Sequence, residues 1–180
     1  MAINESAILK SELRWALVVA GIVAVILTAI LFAALSMHIN PPSNREHVDP
    51  KTLHLSAEFT EENLGTRVEG GRVVARMIAT QFDFVPNCIT VPADTDVTLR
   101  FTSPDVIHGL LVTGTNVNTM VVPGYVSQVH TRFTKTGDLL MPCHEYCGLG
   151  HSQMVATVRV VPREQFRPDA QGRAFCGDRR

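Results

Sequence analysis

The stretch from Trp15 to Met37 constrains this chain most strongly, because it runs for 23 residues without a charged side chain. An α-helix rises about 1.5 Å per residue, so roughly 20 apolar residues cross the hydrocarbon core of a bilayer. A cleaved signal peptide has a shorter apolar region of about 7–15 residues, and no small-x-small cleavage site follows Met37. The sequence therefore predicts a transmembrane helix over residues 15–37, after an N-terminal tail at 1–14, that is retained as a single anchor.

The charges in the sequence exclude one class of partner but do not orient the anchor. The 180 residues carry a net charge of -1, so there is no basic excess to meet the phosphates of a nucleic acid. Lys10 and Arg14 precede the apolar stretch, and Arg45 and Lys51 follow it. The positive-inside comparison is therefore a draw.

The residues after the anchor are predicted to form one domain between a linker and a tail. Residues 38–71 contain the proline-rich stretch NPPSNREHVDP at 40–50 and continue into a short helix that Gly65 ends. Residues 72–162 alternate Val-, Ile- and Phe-rich runs with Pro, Gly and Asn turns, which predicts eight short strands in an antiparallel sandwich or barrel. Residues 163–180 carry five arginines and few apolar residues, which predicts a flexible tail.

The segment with the clearest chemistry is CHEYCGLGHSQM, which places Cys143, Cys147, His151 and Met154 at the spacing C-x3-C-x3-H-x2-M. Two thiolates, an imidazole and a thioether are soft ligands, which select copper over hard cations. His108 lies 35 residues upstream on a predicted strand and offers a second imidazole. A mononuclear blue-copper site needs only one Cys, so the second thiolate indicates a different kind of centre.

The same residues could also form a zinc site or a disulfide. His108, Cys143, Cys147 and His151 could form a structural Cys2His2 zinc site, although zinc loops more often use CxxC and this set gives Met154 no role. A Cys143–Cys147 disulfide would leave the adjacent ligands without a purpose. The two remaining cysteines, Cys88 and Cys176, are predicted to be thiols outside the site, and their pairing with each other stays open.

The segments SPDVIHG, TGTNVN, VPG and CHEYCGLGHSQM resemble subunit II of haem–copper cytochrome c oxidases, and in particular the shorter, single-span B-type members. The resemblance implies an all-β, cupredoxin-like Greek-key sandwich or barrel behind one N-terminal transmembrane helix. It also implies two copper ions in a dinuclear centre, CuA, that relays electrons and performs no catalysis of its own.

The resemblance assigns a role to each residue of the motif. Cys143 and Cys147 would bridge both coppers, while His108 would bind one copper and His151 the other. Met154 and the backbone carbonyl of Glu145 would be weak ligands, with Met154 on the His108 side. The Glu145 side chain would help to hold a magnesium ion at the contact with the catalytic subunit.

The same resemblance implies a place in a respiratory chain. Cytochrome c or a small copper protein would reduce CuA, which would pass electrons to haem in subunit I of a proton-translocating oxidase. The N-terminus would be cytoplasmic, and the copper domain would lie on the periplasmic or outer side of the cell membrane. The chain lacks the Trp that receives electrons in longer members, so Phe82 and Phe84 are predicted as substitutes. The CuA subunit of a nitric oxide reductase and an anchored mononuclear copper carrier are the alternatives.

Overall fold

The computed structural model describes residues 5–36 and 46–176, and the chain divides into two compact units at residues 44 and 45. The first unit contains one helix, α1, which spans Glu5–Ser36 and buries none of its side chains. Within the described residues, α1 is the one helix that is long and apolar enough to cross a membrane. The predicted anchor lies inside α1 as far as Ser36, and Met37 lies outside the described residues.

The helix begins ten residues earlier than the predicted membrane segment. Residues 5–14, which were predicted as a tail, form its first turns. They combine good helix formers with charged side chains, so they can extend an apolar helix beyond the bilayer core. The charge pattern therefore marked where the apolar segment begins, but not where the helix begins.

The part of the second unit that precedes its first strand contains two short 3-10 helices and forms ion pairs with the sheet. These helices cover Pro50–Leu55 and Glu61–Asn63, in place of the single short helix that was predicted. Two side chains of this segment, Leu53 and Phe59, are buried. Glu58 forms ion pairs with both Arg76 and Arg100, which fasten the segment to two neighbouring strands.

In the part of the second unit that the structure describes, residues 46–176, eleven strands form three sheets. The first sheet has the order β11-β1-β2-β5-β8, with β3 paired to β2. Its strands span Gly65–Glu69 (β1), Arg72–Thr80 (β2), Asp83–Val85 (β3), Asp96–Thr102 (β5), Ser127–Arg132 (β8) and Arg173–Ala174 (β11). The second sheet has the order β4-β10-β9, and β6 pairs with β7 separately. These strands span Cys88–Pro92 (β4), His108–Leu111 (β6), Asn118–Val121 (β7), Gly137–Pro142 (β9) and Val155–Val161 (β10).

The core lies between the two larger sheets and follows the alternation of the strands. Along β2 every second side chain is buried, as expected for a strand with one face on the core. Leu99 and Phe101 from the first sheet and Ile89 and Val158 from the second belong to one buried cluster. The predicted all-β sandwich behind one apolar helix is therefore confirmed. Its pairing is mixed rather than purely antiparallel, because β2–β5 and β4–β10 are parallel.

Residues 162–176, the described part of the segment after Val161, form contacts with the β domain, whereas a flexible tail was predicted. Its strand β11 pairs antiparallel with β1, and Phe166 packs against the core. A Cys88–Cys176 disulfide joins this segment to the start of β4. The sequence did not indicate these contacts, because the segment has few apolar residues and because the disulfide and the two-residue strand depend on distant parts of the chain.

Candidate metal centre

The loop from Cys143 to Met154 connects β9 to β10, two adjacent antiparallel strands of the second sheet. The Cys143 N–H donates to the Met154 carbonyl across 2.9 Å and closes the base of the loop. A short 3-10 helix, His151–Gln153, brings the chain back to the sheet. Both ends of the loop are therefore fixed by a buried sheet, which limits how far its side chains can move.

Two free, buried thiols form the centre of the loop. The Sγ atoms of Cys143 and Cys147 are 4.0 Å apart. This is far longer than a disulfide bond of about 2.05 Å, but one metal ion can bond both sulfurs at the usual distance of about 2.3 Å. Burial raises the pKa of the Cys147 thiol to about 11, and the neighbouring Cys143 adds to the shift. A metal ion that binds this thiol must therefore displace a proton.

Two imidazoles flank the thiols. His108, the first residue of β6, is fully buried, and its Nδ1 lies 4.0 Å from the Sγ of Cys143. His151 is half-buried, and its Nδ1 lies 3.7 Å from the Sγ of Cys147. The ligand atoms of His108 and the two cysteines all lie within 4.8 Å of one another. The structure thus brings the upstream imidazole to the late loop, as the sequence predicted.

The two remaining predicted ligands also face the thiols. The Met154 Sδ is buried and lies 3.7 Å from the Sγ of Cys147. The backbone carbonyl of Glu145 lies 3.3 Å from the Sγ of Cys143, while the Glu145 side chain is exposed. All six predicted metal residues therefore gather at one place. Which of two metals each would bind stays a prediction.

Asp105 orients His108, and this role was not predicted from the sequence. Its Oδ1 lies 2.9 Å from the Nε2 of His108, so that nitrogen donates its proton and Nδ1 is free to face the thiols. Burial alone would raise the pKa of Asp105. Hydrogen bonds from the His108 ring, the N–H groups of Gln81 and Val106 and the Thr80 hydroxyl instead hold that pKa well below its usual range. The only sequence signal was a carboxylate three residues before a ligand-type His.

The two aromatic residues predicted to receive electrons lie in different surroundings. Phe84 is fully buried in the core, whereas the Phe82 ring is 40% exposed. Phe82 packs closely against the metal loop. A Cβ atom added to Gly150 of the loop would lie only 2.4 Å from the Cγ of Phe82. The residue before it, Gln81, donates from its side chain to the Cys147 carbonyl, and this contact also went unpredicted.

Apolar side chains surround the loop at the surface. Leu149 is 96% exposed and Tyr146 71% exposed, and Ile107 and Met120 are also exposed. A shallow hollow lined by Ile107, Met120 and Tyr146 reaches the loop at Cys147. We call Ile107, Met120, Tyr146 and Leu149 the apolar patch. Side chains of this kind exposed side by side are typical of a surface that meets another protein.

The donor set matches the chemistry of a soft metal. Two thiolates, two imidazoles and a thioether suit copper, whereas the oxygen-rich sets that hold calcium or magnesium are absent from this loop. The imidazole tautomer that Asp105 imposes on His108 leaves a ligand nitrogen facing the sulfurs. The fold and the site thus define a β-sandwich that carries a cluster of soft-metal donors, in a chain that also has a long apolar helix.

Comparisons with known proteins identify the family. The profile described as "Cytochrome C oxidase subunit II, periplasmic domain" matches residues 73–161. A cytochrome c oxidase subunit 2 of Thermus thermophilus is 35% identical over 77% of this chain and 83% of its own length. A second Thermus thermophilus protein of that name is 37% identical over 67% of this chain and 90% of its own length.

A solved structure agrees with these relatives. A chain in a cryo-EM structure of a heme-copper terminal oxidase dimer is 28% identical, with a TM-score of 0.58, over 84% of this chain and 98% of the other. The chain belongs to the cytochrome c oxidase subunit II family. Its β domain is accordingly cupredoxin-like, and the predicted resemblance is confirmed at the level of this family.

Proposed function

We propose that this chain is the electron-transfer subunit of a B-type haem–copper oxidase and holds a dinuclear CuA centre. The observation that carries the proposal is the pair of buried thiols 4.0 Å apart, each with an imidazole nitrogen within 4.0 Å. Two bridging thiolates and one imidazole for each metal are the ligands that two coppers need. When bound, the copper pair would accept and release one electron at a time.

The residues of the chain would hold this centre with little movement between its two oxidation states. Cys143 and Cys147 would bridge, His108 and His151 would each bind one copper, and Met154 would be a weak ligand. The Glu145 carbonyl would be the matching weak ligand. Burial of the thiols and of His108 excludes water, so the charge change during transfer would reorganise few solvent molecules.

The surface around the loop supports a docking position for the proposed electron donor. Cytochrome c, or a small copper protein, would dock on the apolar patch and deliver electrons near Phe82, which touches the loop. We propose Phe82 rather than Phe84 for this step, because Phe84 is fully buried. Since the patch is apolar, oxidase turnover should change little with added salt, and a steep fall would contradict this docking surface.

The electrons would pass to haem in subunit I, where oxygen is reduced to water and protons are translocated. We propose that the exposed Glu145 carboxylate helps to hold a magnesium ion at the contact with that subunit. α1 would anchor the chain in the lipid bilayer of the cell membrane, with its N-terminus cytoplasmic. The Cys88–Cys176 disulfide supports a copper domain on the periplasmic or outer side, because disulfides persist in oxidising compartments.

Copper counting and electron paramagnetic resonance on the copper-loaded full chain in detergent test the centre. We expect two coppers and a seven-line hyperfine pattern from one unpaired electron shared by both nuclei. One copper with a four-line pattern would indicate a mononuclear copper carrier. A colourless protein that binds zinc in place of copper would indicate a structural zinc site. Cys147→Ser should abolish the shared-electron spectrum, and retention of that spectrum would exclude Cys147 as a bridge.

Met154→Leu separates the weak ligand from the bridging ones. The variant keeps the volume of the buried side chain but loses the sulfur, so copper should stay bound while its reduction potential changes. Protein-film voltammetry measures that potential. An unchanged potential would show that the Met154 sulfur does not bind copper.

A further inference from the structure

The turn that joins β2 to β3, taken as Gln81 and Phe82 together with Thr80 at the end of β2, has contacts that lead to both sides of the candidate metal centre. It belongs to the first sheet, whereas the metal loop connects two strands of the second sheet. None of its three residues is a ligand in the proposed centre. Its contacts nevertheless reach His108 through a carboxylate on one side and Cys147 directly on the other.

The first set of contacts leads to the upstream imidazole. The backbone N–H of Gln81 donates to the Oδ2 of Asp105 across 2.7 Å, and the Thr80 hydroxyl donates to the same oxygen across 2.9 Å. The other carboxylate oxygen of Asp105 accepts from the Nε2 of His108. The position of the His108 ring is therefore tied to the backbone of the turn through a single carboxylate.

The second set of contacts leads to the metal loop. The Gln81 side-chain amide donates to the backbone carbonyl of Cys147, the residue that carries one of the two buried thiols. The Phe82 ring fills the space over Gly148 and Gly150, where a Cβ atom would lie 2.8 Å and 2.4 Å from ring atoms. The loop therefore has two independent contacts with the turn, one polar and one steric.

We propose that Gln81 is a positioning residue that holds the Cys147 backbone at a fixed distance from the Asp105–His108 pair. This rests on the proposed function, because it concerns the same centre. The backbone of Gln81 fixes Asp105 and its side chain fixes Cys147, so one residue sets the spacing between an imidazole and a thiolate. When the ligands are already in place in the metal-free protein, their geometry changes little when the metal binds or when it is oxidised or reduced.

Two variants of equal length test the hydrogen bond, and both keep the backbone N–H that Asp105 needs. Gln81→Met keeps the shape of the side chain but loses the donor, whereas Gln81→Glu places a carboxylate oxygen against the Cys147 carbonyl. Gln171→Met is the matched control, because Gln171 lies exposed on a turn of the C-terminal segment. All are made in the full chain, and the thermal unfolding of each reports whether it folds.

The first readout is hydrogen exchange of the metal-free protein. A lost hydrogen bond should speed exchange of the loop amides, including that of His151, by roughly 3- to 10-fold, with a larger effect for Gln81→Glu than for Gln81→Met. Exchange in β5 and β8 should not change. Equal exchange of the loop in both variants and in Gln171→Met would overturn the proposal, and so would uniform acceleration across the whole domain.

The second readout uses the copper-loaded protein. Its reduction potential and hyperfine pattern should shift in both Gln81 variants, and more in Gln81→Glu than in Gln81→Met. Wild-type spectra that lack the dinuclear pattern would refute the proposed function but leave the exchange result to decide the role of Gln81. A wild-type dinuclear spectrum that both Gln81 variants reproduce unchanged would refute the positioning role alone. The two proposals can therefore fail separately.

Discussion

The sharpest consequence of the structure concerns Asp105→Asn, a substitution that changes no ligand and almost no volume. Donors from five residues lie within hydrogen-bond distance of the carboxylate: Thr80, Gln81, Ser103, Val106 and His108. An amide has a single oxygen, so its NH2 group must face one of the two sets of donors. At least one backbone or ring N–H is then left without an acceptor.

Each orientation of the new amide has a predictable cost. With the NH2 group toward Gln81, that backbone N–H loses its partner, which costs about 1–3 kcal/mol. With the NH2 group toward His108, the Nε2 atom must become an acceptor. The proton then moves to Nδ1, the nitrogen that faces the thiols, and that nitrogen can no longer bind metal. Either way we expect copper affinity to fall by about 10- to 100-fold, which is about 1.4–2.7 kcal/mol.

A competition titration of the detergent-solubilised chain against a copper chelator measures this affinity. Asp96→Asn is the matched control, because Asp96 pairs with Arg132 at the surface and its side chain is 82% exposed. The control should keep its copper affinity and lose less than about 1 kcal/mol of unfolding free energy. If Asp105→Asn binds copper within twofold of the wild type, the carboxylate does not position His108 and the reasoning fails.

Three further predictions test the loop, the C-terminal segment and the linker. Gly150→Ala introduces a Cβ atom 2.4 Å from the Phe82 ring, so thermal unfolding should show a loss of about 1–3 kcal/mol; an unchanged melting temperature would mean that the ring moves aside freely. Replacing Cys88 and Cys176 together with Ser opens a cross-link of sequence separation 88, and guanidinium unfolding should show a loss of about 4–5 kcal/mol. A loss below about 1 kcal/mol would show that the C-terminal segment is held by its other contacts. Burial raises the pKa of Glu58, but its hydrogen bonds and charge attraction to two arginines outweigh burial and lower it. Because the folded pKa lies below the unfolded one, Glu58 stabilises the fold above the unfolded pKa, and this contribution is lost as pH falls through the folded pKa. Glu58→Gln should therefore cost about 1–2 kcal/mol at neutral pH, and its unfolding curve should converge with the wild type in acid; a constant gap at all pH values would exclude this linkage.

The local signals in the sequence predicted most of the fold. The apolar run without charges lies within α1 as far as Ser36, and each of the eight predicted strand segments overlaps an observed strand, with the first overlapping both β2 and β3. The two missed strands, β1 and β11, have five and two residues and pair with each other at the edge of the sheet. Such strands carry little hydrophobic alternation of their own, because their pairing is set by neighbours that are distant in sequence.

For the candidate site, the sequence predicted the ligand-type residues but not the residues that support them. Cys143, Cys147, His151 and Met154 share one loop, so their spacing alone revealed them. Asp105 could have been inferred from its place three residues before His108. Gln81 could not, because its partner Cys147 is 66 residues away and a glutamine in a turn has no distinctive pattern.

This division has a consequence for how the metal and the fold depend on each other. The proposed ligands come from a loop of the second sheet and from β6, while Gln81, in the turn after β2 in the first sheet, contacts both Asp105 and Cys147. We therefore expect metal binding to depend on how the two sheets pack against each other. A ligand that binds only the folded state stabilises it, so bound copper should protect the contact between the sheets as well as the loop. Core substitutions far from the thiols should in turn weaken copper binding, to the extent that they shift one sheet against the other.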